Sequence, residues 1–586
     1  MSSDLETLLD SRVASDDGRS AFTFVSYAPD REDRVAMTWT DLDRRARAVA
    51  VRLRRTVPAG GRVAILAPNS LGYVVAFFGC VRAGLIAVPV HGPVQAGHAA
   101  RLSSVIRDCL PAALLTTRSE CAAVRAFVQQ ADLPVAPEII DVDAVSPALA
   151  ESWEPTPPAP DRIAYLQYTS GSTSAPTGVV ITQAGLVANM RQAAVIYGID
   201  ERLTSVSWLP LFHDMGLATT IGSPLVHGAR AVFLEPFSFV HHPSRWLRLL
   251  GEPDRSYGAA PDFAFDYCVE RCREADLEGL DLGGVQFIIN GAEPIRPRTV
   301  EAFEERFARH GLRPQTVRPS YGLAEATVFV SGSRRLRVTS IDLEALTRGV
   351  AQEAVDPQRP DSFHRLVACG QPGTVTGTTA GPGVERPLAR IVDVETRTVL
   401  PSGRVGEIWV NSAGLGRGYW NRPDLTRETF GAELADAAGV LPERGWLRTG
   451  DLGFIHGGEL HVAGRIKDVI IVDGANHYPS DIENTVESAH PSVRRGRVAA
   501  FGVSRGDREQ VVIVAEFDTR RVGVDEDFES VLRGIRTQVT TVHDVRVHDI
   551  VPVRSGTVPL TSSGKVRRSQ CRTQYETGEP AERIRA

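Results

Sequence analysis

Residues Tyr168 to Thr182 read YTSGSTSAPTGVVIT. Hydroxyl side chains and glycines crowd between a strand-like IAYLQY (163–168) and a strand-like VVIT. A strand feeding such a loop turns backbone N–H groups and hydroxyls toward one point, and that concavity suits phosphate oxygens. Gly171 and Gly178 permit close approach and positive φ. The Gly-Lys-Ser/Thr spacing of an ordinary P-loop is missing, which argues against that class of NTPase. By itself the stretch also reads as a polar turn, since glycine- and serine-rich turns are common.

The elements that must position this loop alternate between helix and strand. Thr40 with Asp43 is expected to cap the helix DLDRRARAVAVRLRR. RVAIL (62–66) reads as a buried strand, LGYVVAFFGCVRAG (71–84) as a helix ending at glycine, and LIAVPV (85–90) as a further strand. That alternation predicts α/β layers with parallel strands. The proline-rich ESWEPTPPAPD (151–161) is a connector, and residues 331–365, polar and poorly periodic, look like an insertion between ordered elements. SGRVGEIWVNSAGLGRGYW and WLRTGDLGFIHGGELHVAGR read as β-hairpins with glycine turns. A new unit begins after Lys467: strand DVIIVDG, helix YPSDIENTVESAH, two strands and a helix over about 525–539. At roughly 120 residues it is large enough to fold alone.

The totals bound the function. A chain of 586 residues exceeds one core and predicts two to four domains or subdomains. A net charge of −6 gives no electrostatic case for nucleic acid. No run approaches the ~18 apolar residues of a membrane span, and the acidic N-terminus lacks a signal-peptide stretch. Seven scattered cysteines without zinc-finger spacing read as reduced thiols of a cytoplasmic protein.

YTSGSTSAPTGV resembles the phosphate loop of the adenylate-forming superfamily: acyl-CoA synthetases, peptide-synthetase adenylation domains and luciferases. The usual loop there reads TSGSTG-x-PKG; here Ser174 replaces a glycine and Thr177 the lysine. NGAEPI (290–295), PSYGLAEAT (319–327), VGEIWV (405–410), GYW (418–420), RTGDLG (448–453), GRIKDVIIVDG (464–474) and PLTSSGKVRR (559–568) match in family order along nearly the whole chain. LQYTSGST, SWLPLFHDMGL, GAAPDFAFDYCV and SYGLAEATVFV are most similar to the fatty acyl-AMP ligase branch. That branch often lacks the loop lysine and carries an extra segment where residues 331–365 stand.

The resemblance implies an α/β fold: an N-terminal domain (1–464) of layered α/β subdomains plus a distorted β-barrel, a hinge at 465–467, and a small mobile α+β domain (468–586). It implies that Thr169, Ser170, Gly171, Ser172 and Thr173 wrap the β- and γ-phosphates of ATP. Gly291, Ala292, Glu293, Ser320, Tyr321, Gly322, Leu323 and Ala324 would form the adenine pocket, with Tyr321 stacked on the base. Glu325 would hold Mg²⁺, a hard ion that wants carboxylate oxygen. Asp451 would accept the ribose hydroxyls, with Arg465 near the ribose or α-phosphate. Lys565, on the mobile domain, would stabilise charge on the α-phosphorus. Lys467 would be the hinge residue. His213 would orient the carboxylate or gate a tunnel bordered by Met215, Phe263, Phe265 and Ile289. Taken singly, most of these residues have blander readings: a surface ion pair for Asp451 and Arg465, a solvated loop charge for Glu293, a hydrogen-bonded core histidine for His213, plain packing for the apolar four.

The implied reaction joins a fatty acid to ATP as acyl-AMP, then passes the acyl group to the phosphopantetheine thiol of a carrier protein. The 21 residues after Lys565 are too few for a carrier domain, so the acceptor is expected on another chain. If the insertion packs on the small domain, it would bias the rotation that thiol transfer needs and disfavour coenzyme A. The competing readings are a true acyl-CoA synthetase and a silent nucleotide- or acyl-binding homologue. An amino-acid adenylation domain needs an acidic residue for the α-amine, for which Asp262 is the one candidate.

Overall fold

The structure is a computed structural model. It describes residues 4–28, 31–93, 99–131, 133–157, 159–169, 176–355, 362–373, 379–381, 384–436, 444–472, 474–505, 508–522, 527–561 and 564–578. Ser170, Gly171, Ser172 and Thr173 lie outside the described residues.

The phosphate-loop strands sit at one edge of a six-stranded sheet. Its spatial order is 138–141, 113–116, 62–66, 86–90, 163–168 and 178–182. All pairings are parallel except the last, where Ile163–Tyr168 and Gly178–Thr182 run antiparallel on either side of the loop. A second sheet of eight strands runs 331–332, 317–321, 285–290, 256–260, 204–207, 230–234, 22–28 and 31–37, parallel through its centre with an antiparallel strand at each edge. Parallel strands covered on both faces explain why RVAIL and LIAVPV are apolar throughout rather than alternating. One apolar core takes side chains from both sheets and from the helices Trp39–Arg54, Leu71–Ala83 and Gln183–Tyr197.

The first of those helices starts two residues earlier than expected. Thr38, not Thr40, accepts from the Asp41 backbone N–H. The Thr-x-x-Asp spacing is the same one shifted by two, and Trp39 decides the register by packing edge-on against Phe22 at 5.2 Å. The Thr40 hydroxyl instead binds Asp16.

A bent antiparallel sheet, the half-barrel, follows: 388–392, 406–411, 444–456 and 432–433 in order, with 459–465 also on 444–456. The 444–456/459–465 hairpin turns at Gly457–Gly458 as expected. The other expected hairpin is not one. GEIWVN is a central strand between 388–392 and 444–456, and its glycine-rich tail runs beside the phosphate-loop strand, with Arg417 N–H donating to Val180 and Gly416 N–H to Glu325.

Residues 331–365 are more ordered than their poor periodicity predicts. Strands Val338–Asp342 and Phe363–Val367 pair antiparallel, with a short helix Leu343–Thr347 between them. Their pattern is hard to see because the apolar contacts are supplied by other elements: Ile341, Leu346 and Leu366 share a cluster with Phe454, Ala463 and Tyr478. From residue 493, strands 493–505, 508–517 and 547–553 form a separate sheet backed by the helices Pro479–Ala489, Phe528–His543 and Arg568–Thr577, with its own apolar core. The helix expected over about 525–539 spans Phe528–His543. Among the described residues no helix is long and apolar enough to cross a membrane.

One fully buried charge ties the helices Leu5–Ala14, Trp39–Arg54 and Leu71–Ala83 together. Arg82, 0% exposed, donates to Asp43 and Asp10 and faces the Trp153 ring at 5.0 Å. Removing one partner of such a pair strands the other in low dielectric, so Arg82→Ala is expected to cost about 3–5 kcal/mol. Differential scanning calorimetry would show this as a lower midpoint of the first unfolding transition.

Candidate active site

The residues flanking the phosphate loop are held tightly. The Thr169 backbone N–H donates to Thr177 O at 3.2 Å, closing the base of the loop. Tyr168 donates its hydroxyl to Asp108 at 2.6 Å, and Gln167 Nε2 donates to Phe212 O at 2.9 Å, fixing the strand to the segment that carries His213.

PSYGLAEAT brings Tyr321 and Glu325 onto one turn. Gly322 is obligatory there: a Cβ would stand 1.7 Å from Val328 O. Thr327, a β-branched residue, adopts φ 65°, a strained conformation retained because its Oγ1 donates to Gly414 O at 2.7 Å. Ala292 in NGAEPI also has positive φ, 70°. Strain at two non-glycine residues on adjacent segments marks backbone shaped for something other than stability.

Tyr321 is buried, and its hydroxyl donates to Asp451 Oδ2 at 2.8 Å; Arg465 Nε lies 3.1 Å from Asp451 Oδ1. Asp451 is 5% exposed, and burial raises its pKa above the usual carboxylate range against the pull of Arg465. Glu325 accepts from the Tyr419 hydroxyl at 2.9 Å, and burial raises its pKa too. Tyr419 belongs to the GYW motif, which sequence reasoning quoted without a role. A desolvated carboxylate with one oxygen held by a phenol fits a Mg²⁺ ion. Among the described residues no group of three His, Cys, Asp or Glu side chains could hold a metal ion.

Lys565 is carried on a tight turn. Thr561 N–H donates to Lys565 O at 2.7 Å, Lys565 N–H to Thr561 Oγ1 at 3.0 Å. Gly564 has φ 86° and lies against the Phe263 ring, 3.1 Å from where a Cβ would stand. Arg568 forks onto Glu483 through two 2.6 Å bonds and fixes the following helix. Its ammonium group meets the charges of Asp214, Glu293, Arg465 and Asp451. Burial lowers its pKa, while Asp214, Glu293 and Asp451 raise it. His213 lies beside it, with a pKa lowered to about 3 by burial and then by Lys565, Arg101 and His91, so its ring is neutral at pH 7.

A partly open, mainly apolar cavity lies against the eight-stranded sheet and the helix Gln183–Tyr197. Met215 and Ile289 line it, and so do Asp214, Gly291, Ala292, Ser320 and Gly322. Phe263 does not line it, because it lies under Gly564; Phe265 packs in the core against Trp246 and Phe303. Alternating positions on one helix face both ways, so FAF alone could not say which ring meets the cavity. Tyr197, Tyr257, Met190 and Phe329 line it unpredicted. Glu293 is a helix anchor as well as a site charge: its Oε1 accepts from Phe263 N–H at 2.6 Å. Lys467 is exposed on a short turn, Ile466–Asp468.

The small C-terminal sheet is docked against the rest by charge. Arg296 and Arg298 reach Glu487, at 3.3 and 3.2 Å, and Glu487 is almost fully buried. On the other side His364, from the insertion, pairs with Asp481 at 3.0 Å. Burial disfavours the His364 imidazolium, but Asp481 outweighs it and the pKa lies above the ordinary value.

Asp262 turns away from the chemistry. It is 2% exposed, accepts from Asn290 Nδ2 at 2.8 Å, and does not line the cavity. It therefore offers no seat for an α-amine. Burial and then Glu293 push its pKa to about 8. The folded value exceeds the unfolded one, so the protonated form is favoured by folding, and stability is lost as pH rises from about 4 to about 8. Asp262→Asn should remove that loss: urea midpoints of variant and wild type converge near pH 4 and separate in the variant's favour up to pH 8–9.

A buried tyrosine–carboxylate pair met by the exposed Arg465, a neutral histidine and a half-buried lysine is a set of groups that can bind a nucleotide and stabilise charge on its phosphorus. The family model "AMP-binding enzyme" matches residues 9–420, and "Disco-interacting protein 2-like, AMP domain" matches residues 467–582. A long-chain-fatty-acid–AMP ligase of Mycobacterium marinum is 41% identical over 98% of this chain and 97% of its own length. A 4-hydroxyphenylalkanoate adenylyltransferase of the same organism is 40% identical over 98% and 91%. The solved fatty acyl-adenylate ligase of L. pneumophila, in complex with acyl adenylate and pyrophosphate, superposes with TM-score 0.73 at 32% identity, covering 98% of this chain and 96% of that one. With its layered α/β sheets and half-barrel, the chain belongs to the AMP-binding enzyme family, in the company of its fatty acyl-AMP ligases.

Proposed function

We propose that this chain activates a fatty acid with ATP, giving acyl-AMP and pyrophosphate, and then delivers the acyl group to the phosphopantetheine thiol of a carrier protein on another chain. The observation that carries the reading is that the Lys565 ammonium meets the charges of Asp214, Glu293 and Asp451, and that Asp214 also lines the apolar cavity.

A carboxylate oxygen of the acid attacks the α-phosphorus; the new P–O bond forms as the bond to the β-phosphate oxygen breaks, and pyrophosphate leaves. No protein nucleophile is required, because alignment and charge stabilisation suffice. Lys565 steadies the growing charge on the α-phosphate oxygens. Neutral His213 orients the acid by a hydrogen bond without adding repulsion to Lys565. The Tyr321 ring lies along the adenine, in a pocket made by Gly291, Ala292, Glu293, Ser320, Gly322, Leu323 and Ala324. Asp451, already oriented by Tyr321 and Arg465, accepts the ribose hydroxyls. Thr169 to Thr173 hold the outer phosphates. Glu325 would hold Mg²⁺, which would supply positive charge to the phosphates. Met215 and Ile289 border the acyl chain, and the closed crevice protects the mixed anhydride from water.

Residues 468–586 act as a lid that turns about 465–467 after adenylation, carrying Lys565 away. The exposed Lys467 has no packing to lose in that turn. The insertion contacts at Tyr478 and His364–Asp481 favour the closed arrangement and so oppose the turn when a weak acceptor such as coenzyme A is offered.

Two outcomes test this. Lys565→Ala should lower fatty-acid-dependent ATP–pyrophosphate exchange by about 10²–10³, with ATP binding retained; exchange unchanged by the substitution defeats the mechanism. His364→Ala should leave exchange intact and raise acyl-CoA formation several-fold, the scale of a hydrogen bond of about 1 kcal/mol. Because the His364 pKa is raised, the charged pair is complete below the ordinary imidazole range and lost as pH rises through the folded value. Acyl-CoA leakage from the wild type should therefore grow with pH, and that of the variant should not.

A further inference from the structure

A triphosphate brings several negative charges, and Thr177 stands where related loops carry a lysine. Arg101, which lies outside every quoted motif, and Arg567, whose role PLTSSGKVRR leaves unassigned, both stand near this loop. Arg101, in the helix Ala99–Cys109, donates from Nη2 to the carbonyl oxygen of Thr169 at the loop's first residue. The same helix is fixed to the loop strand two turns later, where Asp108 receives the Tyr168 hydroxyl at 2.6 Å and Arg422 at 3.0 Å. Arg567 comes from the other direction, two residues beyond Lys565, at the start of the helix Arg568–Thr577.

Both arginines are half-buried, and the strongest charge acting on Arg101 is that of Arg567. Arg101 and Lys565 also both act on His213, so these cations face one locus. At the interface half-buried arginines meet an acid, Arg296 and Arg298 both reaching Glu487, and within the C-terminal unit Arg568 meets Glu483. Like charges brought together from two separately folded units gain stability only when an anion lies between them. A guanidinium carries five donors in a planar fork, so one bond to Thr169 leaves capacity for phosphate oxygens.

Resting on the function proposed above, we propose that Arg101, joined by Arg567 when the lid is closed, forms the cationic part of the site for the β- and γ-phosphates of ATP and for the pyrophosphate product, in place of the missing loop lysine. Because the two arginines belong to different units, the phosphates bridge crevice and lid. Rotation of the lid removes Arg567 and loosens pyrophosphate, which couples product release to the change of conformation.

The test is calorimetric titration of the full chain with Mg·pyrophosphate, Mg·ATP and AMP. Arg101→Gln and Arg567→Gln are each expected to weaken pyrophosphate and ATP at least tenfold while AMP, which lacks the outer phosphates, stays within twofold. Retained AMP affinity also shows that each variant is folded. Pyrophosphate affinity within twofold of wild type in both variants overturns the proposal, as does an Arg101→Gln variant that loses AMP as much as pyrophosphate, which would make Arg101 a support for the loop backbone. A wild-type chain that binds pyrophosphate in this arginine-dependent way, yet exchanges no label with any fatty acid, would sink the ligase reading and leave the arginine site standing.

Discussion

A lysine can be stable in a crevice that excludes water only if carboxylates meet it there. Lys565 depends on that condition, and most of the molecule serves it. Burial pulls its pKa down; Asp214, Glu293 and Asp451, from three different segments, act in the opposite sense. Burial in turn biases those acids, Asp214 and Glu293 half-buried and Asp451 buried, toward protonation. Each side therefore makes the other's charge tolerable. The neutral state of His213 follows first from burial and then from the neighbouring cations.

The arrangement is pre-formed where it must be and exchangeable where it must move. Tyr321, Asp451 and Arg465 are bonded to one another, so the nucleotide side need not reorganise when charge develops. The contacts across the interface are of another kind. Arg296, Arg298 and His364 meet Glu487 and Asp481 through ion pairs, whose desolvation cost largely cancels their attraction. An interface built this way orients the C-terminal sheet without locking it.

The insertion adds apolar contact to that balance. Ile341, Leu346 and Leu366 share an apolar cluster with Tyr478, which lies beyond the Ile466–Asp468 turn. A strained backbone at Ala292 and Thr327, held by neighbours rather than by intrinsic preference, borders the same crevice. The chain thus spends stability near the site and recovers it in the sheets and in charge clusters such as Arg82 with Asp43 and Asp10.

Much was legible in the amino-acid order. Strands at 62–66, 86–90 and 163–168, the helix ending at Gly84, the Gly457–Gly458 hairpin and the separate C-terminal sheet follow from local pattern, because burial on both faces, glycine turns and helix caps leave signals within a few residues. The motifs around Tyr321, Glu325, Asp451 and Lys565 were legible for a related reason: each is a short segment whose backbone needs particular residues, as Gly322 and Gly564 show. What distance along the chain hides, only the tertiary structure decided. Thr38 rather than Thr40 begins its helix because Trp39 finds Phe22; GEIWVN lies between two strands remote from its own turn; Phe263 meets Gly564, three hundred residues away, and not the cavity. The cations at the phosphate loop are the sharpest case. Nothing around Arg101 marks it, and PLTSSGKVRR points to Lys565 rather than to Arg567, since the meaning of the two arginines lies in the field they share, and that field exists only once segments more than four hundred residues apart face each other.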